Sequence, residues 1–198
     1  MFVLGLTGGI GCGKSTVSAH LATLGARILD GDRVARDVVQ PGELGLARIV
    51  ARFGTEMLLP DGQLDRPRLG QLVFADDAAR LDLNRLLHPL ILDRLRTGVR
   101  QARQDAVTVC VLDVPLLLEM AGLAAECDAV WTVECAPSTQ LSRLVARNGL
   151  TQEAAAARVA AQWSAERRIA AAMAVLDNNG TLAELHSRIA HLWQQLPH

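Results

Sequence analysis

Short, unbroken apolar runs alternate along the chain with longer segments whose apolar residues recur every three or four positions. Five runs read as strands: "MFVLGL" at 1–6, "ARILD" at 26–30, "VTVCVLDVP" at 107–115, "DAVWTVE" at 128–134 and "AVLD" at 174–177. Apolar runs without polar alternation suit strands covered on both faces. Between them the period is helical. Val17, Leu21 and Leu24 share one face of "STVSAHLATLG", which stops at Gly25. "RVARDVVQPG" predicts a helix from Arg33 to the break at Pro41-Gly42. From there to about residue 103 the helical pattern continues through Leu69, Leu72, Leu83, Leu86 and Leu87, with a turn at Asp61-Gly62. Pro89 is expected to start a new helix in this stretch rather than interrupt one. "PSTQLSRLVARNG" and "TQEAAAARVAAQWSAERRIAAAM" supply further helices, and Asn178-Asn179-Gly180 turns the chain into a last helix that reaches Trp193. Strands alternating with helices predict an α/β fold, a five-stranded parallel sheet flanked by helices. The chain reads as one domain, with a core at about 1–40 and 105–198 and a helical insertion at about 41–104.

The first strand–helix junction carries the sharpest chemical signal. Gly8, Gly13, Lys14 and Ser15 fit G-x-x-x-x-G-K-[ST], a loop whose backbone amides cradle phosphate. Gly9 and Gly11 add freedom for positive φ, which lets successive N–H groups converge on one anion. Strand, glycine loop and helix N-terminus together make an anion site. Lys14 is the only lysine beside 19 arginines. A compact ammonium fits a narrow loop of amides where the broad guanidinium fork does not. The junction is therefore a nucleoside triphosphate site, formed by Gly9, Gly11, Cys12, Gly13, Lys14, Ser15 and Thr16. Lys14 reaches the β- and γ-phosphates and the Ser15 hydroxyl ligates Mg²⁺. Cys12 lies beside Lys14 and near a helix N-terminus, so its thiolate is expected to be stabilised and its alkylation fast.

Composition narrows the partners. Net charge is −1 over 198 residues and the isoelectric point is near 6.5, so no basic field invites nucleic acid or an anionic membrane. Cys12, Cys110, Cys127 and Cys135 form no C-x-x-C pair and no zinc spacing with the five histidines. Reduced thiols in the cytoplasm are expected. The N-terminus lacks the basic region of a signal peptide, and no apolar run approaches transmembrane length.

Taken in order, "LTGGIGCGKST", "ILDGDRVARDVVQPG", "DGQLDR", "LLHPLI", "LDVPLLLE", "QLSRLVARNG" and "LDNNG" resemble the dephospho-coenzyme A kinases, members of the P-loop kinase superfamily. The resemblance runs from about Leu4 to Gly180, nearly the whole chain. It implies a P-loop kinase fold with a helical substrate-binding insertion and a helical lid, at about 137–168. It also implies that ATP, with Mg²⁺, phosphorylates the ribose 3′-hydroxyl of dephospho-coenzyme A.

Roles follow from the matched positions. Asp32 matches the second aspartate of the family's D-A-D stretch, which implies that it orients and deprotonates the ribose hydroxyl. Capping a helix that starts at Arg33 is its alternative role. Asp30 is a second candidate for the same proton. Asp113 ends "VCVLD", where a sheet carboxylate reaches the metal's water shell, or else caps a helix or closes a turn. Arg143 and Arg147 are four apart on one helix face, and in P-loop kinases such lid arginines neutralise the transferring phosphoryl group. Arg168 matches a further family position, and Asn178 of "DNNG" the loop that contacts adenine. His88 is implied to face the coenzyme A side. Four departures from the family pattern stand out: Gly31 where Ala is usual, Cys12 where Ser is common, Leu118 for an aromatic, and Met173-Ala174 for an acidic pair.

Other classes fit less well. A GTPase switch needs the lysine of N-K-x-D, and the only lysine is already in the loop. A nucleic-acid-dependent ATPase lacks its basic-aromatic clusters. A kinase of another small hydroxyl acceptor is the closer alternative.

Overall fold

A computed structural model describes residues 1–120 and 122–197 of the chain. Each apolar run forms a strand: β1 (Phe2–Gly8), β2 (Arg27–Asp30), β3 (Val109–Asp113), β4 (Ala129–Glu134) and β5 (Ala174–Asp177). They make one parallel sheet in the order β2-β3-β1-β4-β5. Every residue of β3 and β4 is buried, whereas β2 and β5 at the sheet's edges are partly exposed. That gradient explains why the central runs carry so few polar side chains.

The chain leaves β1 toward one side of the sheet and enters β4 on the other, so the strand order reverses between them. Ligands of open α/β sheets collect at such a point, beyond the strands' carboxyl ends. Register brings the strand ends together there: Leu6 pairs with Asp113, Asp30 with Asp113, Gly8 with Val133, and Glu134 with Asp177. Gly5, in the middle of β1, is a glycine because a Cβ would lie 2.5 Å from Leu117 and 2.9 Å from the Cys127 sulfur.

Helices α1 (Lys14–Thr23) and α9 (Leu182–Gln194) cover one face of the sheet, where Val17, Leu21, Leu185 and Ile189 pack with Leu4, Leu6 and Trp131. Thr181 and Glu184 form a reciprocal cap that fixes the start of α9 just past β5. α6 (Pro137–Asn148), α7 (Gln152–Ala160) and α8 (Ala165–Ala171) lie between β4 and β5 in the chain. Thr151 and Ser164 cap α7 and α8 through their hydroxyls.

The chain divides into two compact units, one comprising Met1–Asp30 with the chain from Val99 onward, the other Gly31–Gly98. The second unit holds α2 (Gly31–Asp37), α3 (Leu44–Phe53), α4 (Arg66–Ala75) and most of α5 (Asp77–Gln104). Its core is Val38, Leu46, Ile49, Met57 and Leu69, with Leu83, Leu87, Leu90 and Ile91 packed against them.

Two expectations change here. α2 starts at Gly31, two residues before Arg33, so Asp32 stands in its first turn and not at its cap. Pro89 lies inside α5 and starts no new helix. Apolar residues on both sides of Pro89 pack into the same cluster, which holds the helix continuous across it. Half-burying four such side chains contributes a few kcal/mol, comparable with the roughly 3 kcal/mol that an interior proline costs. Arg48 also donates to the Leu86 carbonyl, 3.3 Å away, in the turn that the proline loosens.

Candidate active site

The glycine loop is shaped by close approach as much as by dihedral freedom. Gly11 and Gly13 have positive φ, 80° and 93°. Gly9 does not; its φ lies in the ordinary range, and what it supplies is space. A Cβ there would meet the Gln140 amide at 2.7 Å, the Arg168 guanidinium at 2.8 Å and the Cys12 sulfur at 3.0 Å. A Cβ on Gly13 would lie 2.2 Å from the Asn178 side-chain nitrogen. The loop is therefore packed from behind as well as bent.

Gly13, in the left-handed conformation, caps α1 without any side-chain cap, and no acidic residue occupies the helix's first turn. The orphan amides and the positive end of the helix dipole are thus left for an anion. Lys14 is the first residue of α1, followed by the exposed Ser15 and by Thr16, whose amide donates to Gly13.

Lys14 forms a salt bridge with Asp113, the last residue of β3. Both side chains are largely buried, at 16% and 8% exposure. The pair is held because Thr7 at the end of β1 donates to the Pro115 carbonyl over 2.9 Å and Val114 donates to Leu6. A phosphate entering the loop would compete with Asp113 for the ammonium. One carboxylate, one hydroxyl and phosphate oxygens form a set that suits Mg²⁺, which keeps several waters and takes few protein ligands. No cluster of three or more His, Cys, Asp or Glu side chains able to hold a metal occurs among the described residues.

Asn178 is buried just past β5. Its side chain donates to the Cys12 carbonyl over 2.8 Å, and its backbone amide to Glu134. Arg143, from α6, donates to the carbonyls of Gly11 and Asn178 at 3.4 and 3.3 Å. It therefore ties the glycine loop to the loop after β5. Arg147 is exposed one turn further along α6.

Arg168 is buried, and its guanidinium donates to both carboxylate oxygens of Glu134 at 2.7 Å and to the Trp163 carbonyl. The Glu134 hydrogen bonds hold its pKa above the ordinary arginine value. Thr132 donates to the same carboxylate at 2.6 Å. Trp163 follows Gln162, whose side-chain oxygen accepts from the Ile10 amide at 2.8 Å. A chain of contacts thus runs from Glu134 through Arg168 to the glycine loop. Glu134 and Gln162 escape the sequence reading. Glu134 ends β4 as Asp113 ends β3, and that position was its one legible signal.

The expectation for Cys12 is overturned. Its side chain is buried, and burial first, then its pairing with the Cys135 thiol, pushes its thiol up to about 12. The loop's positive field points outward to the anion, while the sulfur points into the core. Fast alkylation is no longer expected.

Lys14, Ser15, Thr16, Asp113, Arg143 and Asn178 therefore surround one loop in the first unit. Asp32 and His88 belong to the second. Asp32 is exposed in the first turn of α2, and its chain neighbour Asp30 ends β2. His88 is half-buried on α5, and burial lowers its pKa.

Comparison with known proteins bears on this arrangement. The family model for dephospho-CoA kinase matches residues 2–184. A dephospho-CoA kinase of Streptomyces avermitilis is 50% identical over 198 residues, all of this chain and 95% of the relative. A crystal structure from Thermus thermophilus superposes with a TM-score of 0.82 at 30% identity, covering 100% of this chain and 98% of the other. A dephospho-CoA kinase structure from Campylobacter jejuni reaches a TM-score of 0.74 at 24% identity, covering 98% and 96%.

Proposed function

This chain belongs to the dephospho-CoA kinase family, and from that premise we propose how its residues divide the reaction. The chain is a kinase that phosphorylates dephospho-CoA with ATP, in the final step of coenzyme A biosynthesis. The acceptor atom is proposed to be the ribose 3′-oxygen. No described helix is long and apolar enough to cross a membrane, and the proposed compartment is the cytoplasm.

Transfer of a phosphoryl group needs charge neutralisation, alignment and a place for the hydroxyl's proton. The amides of Gly11–Thr16 and the Lys14 ammonium take the β- and γ-phosphates. Lys14 leaves Asp113 to do so. Ser15 and Asp113 would hold Mg²⁺, which when bound neutralises phosphate oxygens. Arg143 keeps the glycine loop and the Asn178 loop in register, and Arg147, exposed on the same helix, supplies charge to the transferring group. Asp32 accepts the proton as the ribose oxygen forms its bond to phosphorus and ADP departs. His88 and the helical segment that carries it contribute to acceptor binding.

The observation that carries this reading is the Lys14–Asp113 pair at the mouth of a phosphate-binding loop. The test is ADP release over a panel of hydroxyl acceptors, with the phosphorylated position identified by phosphorus NMR. The reading requires a kcat/KM for dephospho-CoA at least about tenfold above adenosine or AMP, because remote contacts help to orient the ribose. A phosphate appended to AMP, or at the 2′-oxygen, overturns it.

A further inference from the structure

Cys12 and Cys135 are 123 residues apart in sequence, yet Cys135 directs its thiol at the Cys12 sulfur across 3.4 Å. Neither thiol belongs to the transfer chemistry. Cys12 sits between Gly11 and Gly13 with its sulfur turned under the loop, 3.0 Å from the position of a Cβ on Gly9. Cys135 directly follows β4 and is half-buried, so it is the thiol of the two that solvent reaches. We propose that Cys12 and Cys135 form an oxidative modification site, converted by hydrogen peroxide to an intrachain disulfide that disables the phosphate loop.

The chemistry balances with peroxide as the only added reagent. The Cys135 sulfur attacks one peroxide oxygen, the O–O bond breaks, and a sulfenic acid and one water form. The Cys12 sulfur then attacks the sulfenyl sulfur; the S–S bond forms, the S–O bond breaks, and hydroxide leaves as water with the Cys12 proton. Two thiols lose two electrons in all, and one peroxide becomes two waters. A dithiol reductant reverses the step by exchange.

Closing 3.4 Å to a disulfide bond length moves the sulfurs together by roughly 1.3 Å. β4 is a fully buried central strand, whereas Cys12 is in a loop, so the loop does most of the moving. The Cys12 carbonyl is held by Asn178 and its amide by Gly9. The displacement therefore passes to the neighbouring amides of Gly13 and Lys14. A shift of about 1 Å at reacting groups costs about 10²-fold in rate. Burial that raises the Cys12 thiol to about 12 slows the second step near neutrality and makes it faster in alkali.

The experiment oxidises the full chain with hydrogen peroxide, traps free thiols by alkylation under denaturing conditions, and maps cysteine-containing peptides without reduction. A linked Cys12–Cys135 peptide pair, two hydrogens lighter than its parts, is expected. A fall of at least about tenfold in kcat/KM for ATP should accompany it and reverse with dithiothreitol. Cys135→Ser, checked for folding by its melting curve, should keep its activity before and after peroxide; Cys135→Ala serves if that variant melts early. A Cys110–Cys127 link, a link between chains, or a terminal sulfinic acid on Cys135 overturns the proposal. So does equal inactivation of the Cys135 variants. The mass readout is independent of the kinase assignment, whereas the activity readout rests on it, so the two fail separately.

Discussion

Lys14 and Asp113 are joined in a largely buried ion pair, the chain's only lysine against the last residue of β3. The ammonium reaches that carboxylate from the first residue of α1, with the glycine loop wrapped around its base. Lys14→Arg should therefore be nearly as damaging as Lys14→Ala. A guanidinium offers Asp113 a two-pronged partner that phosphate displaces less readily, and it crowds the loop. A fall in kcat of about 10²-fold or more is expected for both, with folding retained. Near-normal turnover by Lys14→Arg would show that any cation suffices.

Asp32→Asn tests the proposed base. The amide keeps the shape of the side chain and cannot accept the proton, so kcat should fall by about 10²–10⁴-fold with ATP affinity preserved. Asp32 stands in the first turn of α2, where its charge favours the helix dipole by less than about 1 kcal/mol. A variant with normal turnover and a lowered melting temperature would reduce Asp32 to that role. Asp30→Asn, measured in parallel, tells which of the two aspartates carries the proton.

Glu134→Gln addresses the support behind the loop. It leaves the buried Arg168 charge without its carboxylate, and breaking a buried pair in this way costs about 3–5 kcal/mol. Denaturant midpoints should fall accordingly. Because Arg168 also holds the Trp163 carbonyl next to Gln162, KM for ATP should rise in the fraction that stays folded. Unchanged stability would mean that Arg168 finds another acceptor.

His20, at the end of α1, stacks on His186 of α9 with ring centroids 3.9 Å apart and planes within 2°. Burial, and then the His186 charge, lower the His20 pKa below its ordinary 6.5. The unfolded chain therefore binds this proton first as pH falls. The contribution is complete above about pH 6.5 and is lost as pH drops through the lowered folded value. Melting temperatures at pH 7.5 and 5.5 should differ more for the native chain than for His20→Gln. An equal difference would place the acid sensitivity elsewhere.

Much of the fold was legible in the chain. The apolar runs became strands, most sharply at β1, β3 and β4, because burial on both faces admits little polarity, and that constraint is written residue by residue. The loop from Gly8 to Ser15 was legible for a similar reason: its chemistry is local, built from amides and dihedrals within eight residues. Local rules failed where a neighbour overruled them. Pro89 reads as a helix start, and only the packing of residues on both sides of it into one core makes α5 continuous. Cys12 reads as an activated thiol beside Lys14, and only its burial in the core, against Cys135 123 residues along, reverses that. Gly9 reads as a source of positive-φ freedom, and the side chains of Gln140 and Arg168 make it a matter of space. The Lys14–Asp113 and Glu134–Arg168 pairs were likewise set by strand order, which brings the ends of β1, β3 and β4 together. A sequence specifies which groups are available and which local shapes they favour. Which of them share a low-dielectric interior, and so bond or shift each other's protons, depends on contacts between distant segments that only the folded chain creates.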